Sequence, residues 1–385
     1  MAENHDYERE INRLFELQKK NVVRLRTSSI DERIAKLKKL KEYIWENKEK
    51  IQEAVYNDLR KPPEEVLLTE IYPVVSEIRH VIKNLKKWTK PKKVRTPISL
   101  FGAKSYYRFE AKGVVLIISP WNYPFELSIG PLITAIAAGN AVVLKPSELS
   151  PHTSGYIKKL VADIFDESEV AVVEGDAVVA QKLLEMGFNH IFFTGSTKVA
   201  KAVLKKASET LSSVTLELGG KSPVIIDGKF DIEEAAKKIT WGKYLNAGQT
   251  CIAPDYVFVK KELLGDFVSH LKHYIKKYYY SDGSGRCSNY CGIINERHFN
   301  RLKNVFEVTV KEGAKVCEGG LFVENECYIS PTVLTDVGRD SYIMEEEIFG
   351  PILPVLTYEK IDDVIEYINS KPAPVVLYVF SRDRK

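Results

Sequence analysis

The hydrophobic positions follow two rhythms, and the change between them falls near Gly113. Upstream, Ile34, Leu37, Leu40, Ile44, Ile51, Val55 and Leu59 recur at helical spacing, one apolar stripe with charged residues between. Ser29 followed by Glu32 reads as a capping box at the start of that stripe, and Pro62 with Pro63 stops it. A second helix is predicted over about 64–88, and 104–110 alternates weakly, like one strand of a projecting hairpin. Downstream of Gly113 the pattern becomes short apolar runs: Val114–Ile118, 141–144, 170–173 and 190–193, with helical segments between the first three and another before the fourth. That alternation predicts an α/β fold with a doubly wound parallel sheet. Such sheets bind ligands beyond the carboxyl ends of their strands, so the loops beginning at Ser119, Lys145, Glu174 and Thr194 should face one crevice.

One stretch also reads as a membrane span, because 127–144 carries no charge. Gly130, Pro131, Gly139 and Asn140 divide it into an apolar helix and a short strand, the pattern of a buried α/β layer. The N-terminus, Met1-Ala2-Glu3-Asn4-His5-Asp6, lacks the basic start and apolar core of a signal peptide. At 385 residues, 44% hydrophobic and 28% charged, the chain has room for two or three domains with cores. Its net charge of +4, from 56 basic and 52 acidic residues, is too slight to argue for nucleic acid. Lys83, Lys86, Lys87, Lys90, Lys92 and Lys93 around Trp88 are read as a solvated face instead. Five cysteines, Cys251, Cys287, Cys291, Cys317 and Cys327, are odd in number and few, which points to a reducing, cytoplasmic setting. Cys287 and Cys291 have no second pair and no nearby His motif, so no metal is expected.

The candidate chemistry collects in the predicted loops. Cys251 sits in Asn246-Ala247-Gly248-Gln249-Thr250-Cys251-Ile252-Ala253-Pro254, small and amide residues suited to a turn that presents a thiol. A buried structural cysteine is the competing reading of that residue alone. After the first strand, Pro120-Trp121-Asn122-Tyr123-Pro124 places an amide donor, or a turn-forming Asn, at the crevice. After the second, Lys145 and Glu148 set a cation and a carboxylate where the two hydroxyls of a ribose could be held. After the fourth, Thr194-Gly195-Ser196-Thr197 opens a helix whose free amides suit a phosphate, although a plain Ser cap explains it as well. Glu217 ends a later strand before Gly219 and Gly220. No G-x-G-x-x-G fingerprint is present, so a dinucleotide would be held some other way.

In their order and wording, PWNYPF, LKPSELSP, FTGST, LELGGKSP, NAGQTC and EEIFGP resemble the successive signatures of the aldehyde dehydrogenase superfamily between Pro120 and Pro351. The interval from Glu217 to Cys251 also resembles that family's glutamate-to-cysteine interval. PWNYPF, GNAVVLKPSELS, QTCIAPDY and the short N-terminal part look most like the class 3 branch, which acts on aromatic and medium- or long-chain aldehydes. The resemblance implies an NAD-binding domain over 1–86 and 109–217, a bridging and oligomerisation hairpin over 87–108, and an α/β catalytic domain over 218–385. It implies Cys251 as nucleophile, Asn122 and the Cys251 N–H as oxyanion donors, and Glu217 as the base for thioester hydrolysis, its pKa raised by partial burial. Lys145 and Glu148 would grip the adenosine ribose, Gly195 and Ser196 the pyrophosphate, and Glu347 the nicotinamide ribose, with Phe349 packed at the nicotinamide end. Glu148 would repel the extra phosphate of NADP, so NAD is preferred with NADP possible.

The family resemblance further implies a homodimer and an aldehyde substrate. It also leads to the expectation that the C-terminal part is incomplete, since the Pro-Phe-Gly-Gly loop and the tail that pairs with the hairpin are not in this sequence. That expectation raises an alternative, an inactive or merely nucleotide-binding remnant, which would bind NAD without making NADH from any aldehyde. A cysteine hydrolase using Cys251 would turn over esters without nicotinamide and leaves Lys145, Glu148 and Glu347 without purpose.

Overall fold

A computed structural model describes residues 2–280, 287 and 289–383, with side chains from Tyr7 onward; the remainder of the expected 218–385 domain lies outside the described residues. The chain divides into two compact units, Met1–Asp58 with Pro63–Glu217, and Leu59–Pro62 with Leu218–Lys385.

The first unit opens with helices α1 (Ala2–Arg26), α2 (Ile30–Glu46), α3 (Lys48–Leu59) and α4 (Pro63–Val66). Ser29 caps α2 by accepting the Glu32 N–H at 3.1 Å, but the Glu32 carboxylate turns to Arg24 and Lys36, so only half of the capping box forms. Leu37, Leu40 and Ile44 are buried as expected, whereas Ile34 is half-exposed and its neighbour Arg33 is buried. Arg33 is held there because its guanidinium donates to the carbonyls of Leu25, Arg26, Ser28 and Ala137. The helix predicted over 64–88 is broken by a π-helical turn at Leu67–Ile71 before α5 (Tyr72–Trp88). Next come the antiparallel β1 (Lys92–Val94) and β2 (Ser105–Tyr107) of the predicted hairpin.

The sheet of this unit contains β3 (Val114–Ile118), β4 (Ala141–Lys145), β5 (Val170–Val172), β6 (His190–Gly195) and β7 (Ser213–Leu218), in the order β5-β4-β3-β6-β7. Its helices are α6 (Glu126–Ala138), α7 (Pro151–Ile164), α8 (Ala177–Leu184) and α9 (Thr197–Thr210); α1 and α6 pack on β3 and β4, α7 on β5, and α9 on β6. Every residue of β3 and β4 is buried, the reason both read as unbroken apolar runs. The pairs β3–β4, β4–β5 and β3–β6 are parallel, and Ile118 faces both Lys145 and Phe193 across the ladders. That register aligns the carboxyl ends of three strands. The loops that leave them therefore emerge together, as the crevice requires.

The second unit is built on β8 (Pro223–Ile226), β9 (Tyr256–Lys260), β10 (Lys315–Glu318), β13 (Thr332–Thr335), β14 (Ile352–Tyr358) and β15 (Tyr378–Phe380). Their order is β10-β13-β14-β9-β8-β15, parallel except for β10, with β15 at one edge. A small hairpin, β11 (Phe322–Val323) with β12 (Tyr328–Ile329), stands apart, and the helices are α10 (Ile232–Tyr244), α11 (Leu264–Tyr279), α12 (Glu296–Lys311) and α13 (Ile361–Asn369). The fold is therefore α/β, with two largely parallel sheets. Among the described residues no helix is long and apolar enough to cross a membrane.

Candidate active site

In the second unit α10 ends at Tyr244, and the chain then takes three consecutive left-handed residues, Asn246 (φ 54°), Ala247 (φ 51°) and Gly248 (φ 72°). Two of these are not glycine, and such residues cost on the order of 1–3 kcal/mol each and persist only where their surroundings enforce them. The enforcement is visible. Asn246 Nδ2 donates to the Gln249 carbonyl at 3.0 Å, and Gln249 Nε2 donates to the carbonyls of Asn246 at 3.0 Å and Gly292 at 2.9 Å. Gln249 Oε1 accepts the Ile294 N–H at 3.1 Å, and both amide side chains are fully buried. The Cys291 thiol, also buried, lies 3.2 Å from Asn246 Oδ1 and 3.2 Å from the Leu59 carbonyl. Gly248 has no alternative, because a Cβ there would collide with the Gly350 carbonyl.

This brace delivers a tight turn at 250–253, closed by the Ala253 N–H donating to the Thr250 carbonyl at 3.0 Å. Cys251 occupies its second position and is half-exposed, in contrast to the buried Cys291. A thiol on a rigid turn with access to solvent suits a nucleophile and not a core filler.

The collision at Gly248 shows how closely the segment around Glu347 lies against this turn. Lys221 donates to Asp255 Oδ2 at 2.6 Å and to the carbonyls of Ile343 and Glu346 at 2.8 and 2.9 Å. Asp255 Oδ1 accepts the Ile348 N–H at 3.0 Å, and Arg301 donates to the Ile348 carbonyl at 2.6 Å. Glu347 is thus pinned through the peptides on both sides of it. Phe349 is held at φ 51°, a strained value for a bulky residue. Burial pushes the Glu347 carboxyl up to about 7, with the Asp255 charge acting in the same direction, while the Gly220 N–H, Lys221 and Lys243 oppose it. A Cβ on Gly219 would collide with that carboxylate, so only glycine allows this approach. Nearby, Lys243 is fully buried with no hydrogen-bond partner for its ammonium, and burial lowers it to about 8.

In the first unit, Asn122 is 3% exposed in the loop leaving β3. The N-cap of α6 is Phe125, whose side chain makes no cap hydrogen bond; Glu70, buried in the π-helical turn, caps from a distance, accepting the Phe125 N–H at 2.9 Å and the Glu126 N–H at 3.3 Å. After β4, Lys145 donates to the Pro146 carbonyl and to Glu148 Oε2, each at 3.0 Å; the lysine is buried and the carboxylate is not. After β6, a Cβ on Gly195 would lie 2.7 Å from the Phe193 ring, and Ser196 Oγ accepts the Val199 N–H as the cap of α9. The cap explanation of Ser196 therefore holds, leaving backbone amides for any phosphate. Glu217 requires a correction: it is exposed on β7, so the partial burial expected of it is not there.

These residues fit a dinucleotide on structural grounds. Ser119 Oγ, at the carboxyl end of β3, is buried without a hydrogen-bond partner, beside a cation and carboxylate three residues apart and a glycine-led helix start. Sequence reasoning missed Lys221, Asp255 and Gln249, although each lies inside a recognised motif and is polar among small or apolar neighbours. Glu70 and Arg301 carried no such signal.

Residues 4–385 match the aldehyde dehydrogenase family. The 4,4'-diaponeurosporen-aldehyde dehydrogenase of Staphylococcus aureus is 44% identical over 357 residues, covering 93% of this chain and 77% of its own length. Aldehyde dehydrogenase family 3 member A2 of Pongo abelii is 42% identical over 353 residues, covering 92% of this chain and 72% of its own. Among solved structures, substrate-bound Staphylococcus aureus AldH superposes with a TM-score of 0.93 at 43% identity, over 97% of this chain and 81% of that one. The NAD+ complex of a Bacillus cereus aldehyde dehydrogenase superposes at 0.88 with 29% identity, over 98% of this chain and 77% of that one. The chain belongs to the aldehyde dehydrogenase family, with relatives in its class 3 branch.

Proposed function

We propose that this protein oxidises aromatic and medium- or long-chain aldehydes to carboxylic acids, with NAD as preferred cofactor and NADP as a possible one. The observation that carries the reading is the enforced turn that presents a half-exposed Cys251 beside the pinned Glu347 segment. In the proposed reaction the Cys251 thiolate attacks the aldehyde carbon, and the Asn122 amide and the Cys251 N–H hold the oxyanion that forms. Bound nicotinamide supplies the hydride acceptor, so that the thiohemiacetal becomes a thioester. Glu217 then takes a proton from water as the water attacks the thioester carbonyl; the acid leaves and the thiol is restored.

Lys145 and Glu148 would hold the adenosine ribose, the start of α9 at Gly195 and Ser196 the pyrophosphate, and Glu347 the other ribose, with Phe349 against the ring. In this reading, 1–86 and 109–217 hold the nucleotide, and 218–385 carries the nucleophile. The hairpin over 87–108 would pair two copies, and its Ile98 and Phe101 are 93% and 96% exposed.

Mass spectrometry of a Glu217→Gln variant given NAD and hexanal tests the order of steps. The acyl group is expected to accumulate on the peptide containing Cys251. Wild-type turnover by that variant, with no adduct, would remove Glu217 from the mechanism.

A further inference from the structure

We propose that Tyr378 is a positioning residue for the nucleophile, holding the turn of Cys251 through the carbonyl of Ile252; this rests on the reading of Cys251 as nucleophile. The phenol of Tyr378 donates to the Ile252 carbonyl at 2.6 Å, on the residue that directly follows Cys251. Strand register accounts for the reach. Tyr378 opens the edge strand β15 opposite Val224 of β8, whose neighbour Pro223 faces Tyr256 of β9, a short distance along the chain from Ile252. The approach of β15 is itself fixed, because the chain at Pro374 and Val375 runs so close to Gly220 that a Cβ there would lie 3.2 and 3.1 Å from their backbone atoms.

The turn needs a second tie. On its amino-terminal side it is locked by Asn246 and Gln249, and beyond it the chain re-enters the sheet at Asp255, whose N–H donates to the Ser222 carbonyl at 2.9 Å. Between these anchors Ile252 is 46% exposed, so its side chain does not fix the turn in a core. Rotation of its peptide would swing the thiol of the preceding residue. The Tyr378 hydrogen bond opposes that rotation from the carboxyl-terminal side. Burial, and secondarily the charge of a Cys251 thiolate, push the phenol pKa up, so the donor persists while the thiol ionises.

Tyr378→Phe removes the donor and keeps the ring. The expected result is a fall in kcat of about fivefold to tenfold, the scale of one lost hydrogen bond, with KM for NAD unchanged and the melting temperature only slightly lowered. Iodoacetamide labelling of Cys251, followed on its own peptide so that other cysteines do not contribute, should slow by a similar factor. Tyr378→Leu should show the same labelling defect together with a lower melting temperature. Wild-type labelling of the Phe variant overturns the proposal, as does a defect confined to the Leu variant, which would make the ring and not its hydroxyl the cause. Labelling needs no turnover. A wild-type chain that makes no NADH from any aldehyde would sink the functional reading and leave the labelling comparison to decide the role of Tyr378.

Discussion

The carboxyl ends of the first sheet and the Cys251 turn of the second unit are assembled in different ways. The former uses what regular structure offers: buried parallel strands in aligned register, a locally capped helix start, and one lysine–glutamate pair whose carboxylate is open to solvent. The latter is forced. Asn246, Ala247 and Phe349 all sit at left-handed φ values that their side chains disfavour, and buried amides, a thiol and a Lys221–Asp255 pair hold them there. A cofactor grip can be made from strand ends and helix amides because these present themselves without strain. A reactive thiol and a nearby carboxylate must be fixed to a fraction of an ångström, and in the proposed reading the fixing falls to Asn246, Gln249, Lys221 and Asp255.

If that contrast is right, substitutions in the two regions should differ in kind. The largest effect is expected at Gln249, where Ala leaves buried partners unsatisfied beneath a strained turn. Denaturant unfolding should show a loss of about 2–4 kcal/mol, and activity should fall even in the fraction that stays folded. A stable, fully active variant would mean that the turn needs no brace.

Glu347→Gln comes next and has a pH signature. The folded protein holds the Glu347 proton up to about 7, whereas an unfolded glutamate releases it near 4.3. The stability tied to that proton is complete below the unfolded value and is lost as pH rises through the folded one. Gln resembles the neutral acid, so at pH 8 the variant should be more stable than wild type by about 1–2 kcal/mol, and the gap should close towards pH 4.5. A gap that is constant with pH would show that Glu347 titrates normally.

The smallest effect belongs to the first unit. Glu148→Gln removes a carboxylate that is largely exposed, so stability should hardly change, and NADP should gain on NAD by about fivefold in kcat/KM, on the order of 1 kcal/mol. An unchanged cofactor ratio would take Glu148 out of the ribose reading.

Much of this was legible in the sequence, and the reasons differ by region. The strands over Val114–Ile118 and 141–144 were readable because burial on both faces leaves only apolar residues. Asn122, Lys145 and Glu148 stood out as candidates because each falls after a predicted strand, and Cys251 because small and amide residues lead up to it, all in wording that resembles a known family. Glu217 was read as ending a strand, and it lies near the end of β7, but its exposure was not foreseen, since burial depends on what packs above a strand end. The roles of Glu70, Arg301 and Tyr378 were not readable. Each acts on a backbone group far away in sequence, and no local pattern records such a partner. The π-helical turn at Leu67–Ile71 escaped for a related reason, because one extra residue in a turn hardly disturbs a helical stripe.

The central claim is that Cys251 carries out aldehyde oxidation coupled to a nicotinamide cofactor. Following NADH absorbance with hexanal, benzaldehyde and a long-chain aldehyde, for the chain and its Cys251→Ser variant, tests it most directly. The account predicts an aldehyde-dependent rise for the chain and a rate lower by about a thousandfold or more for the variant. A folded chain that gives no signal with any of the three, or a Cys251→Ser variant that keeps its rate, would contradict it.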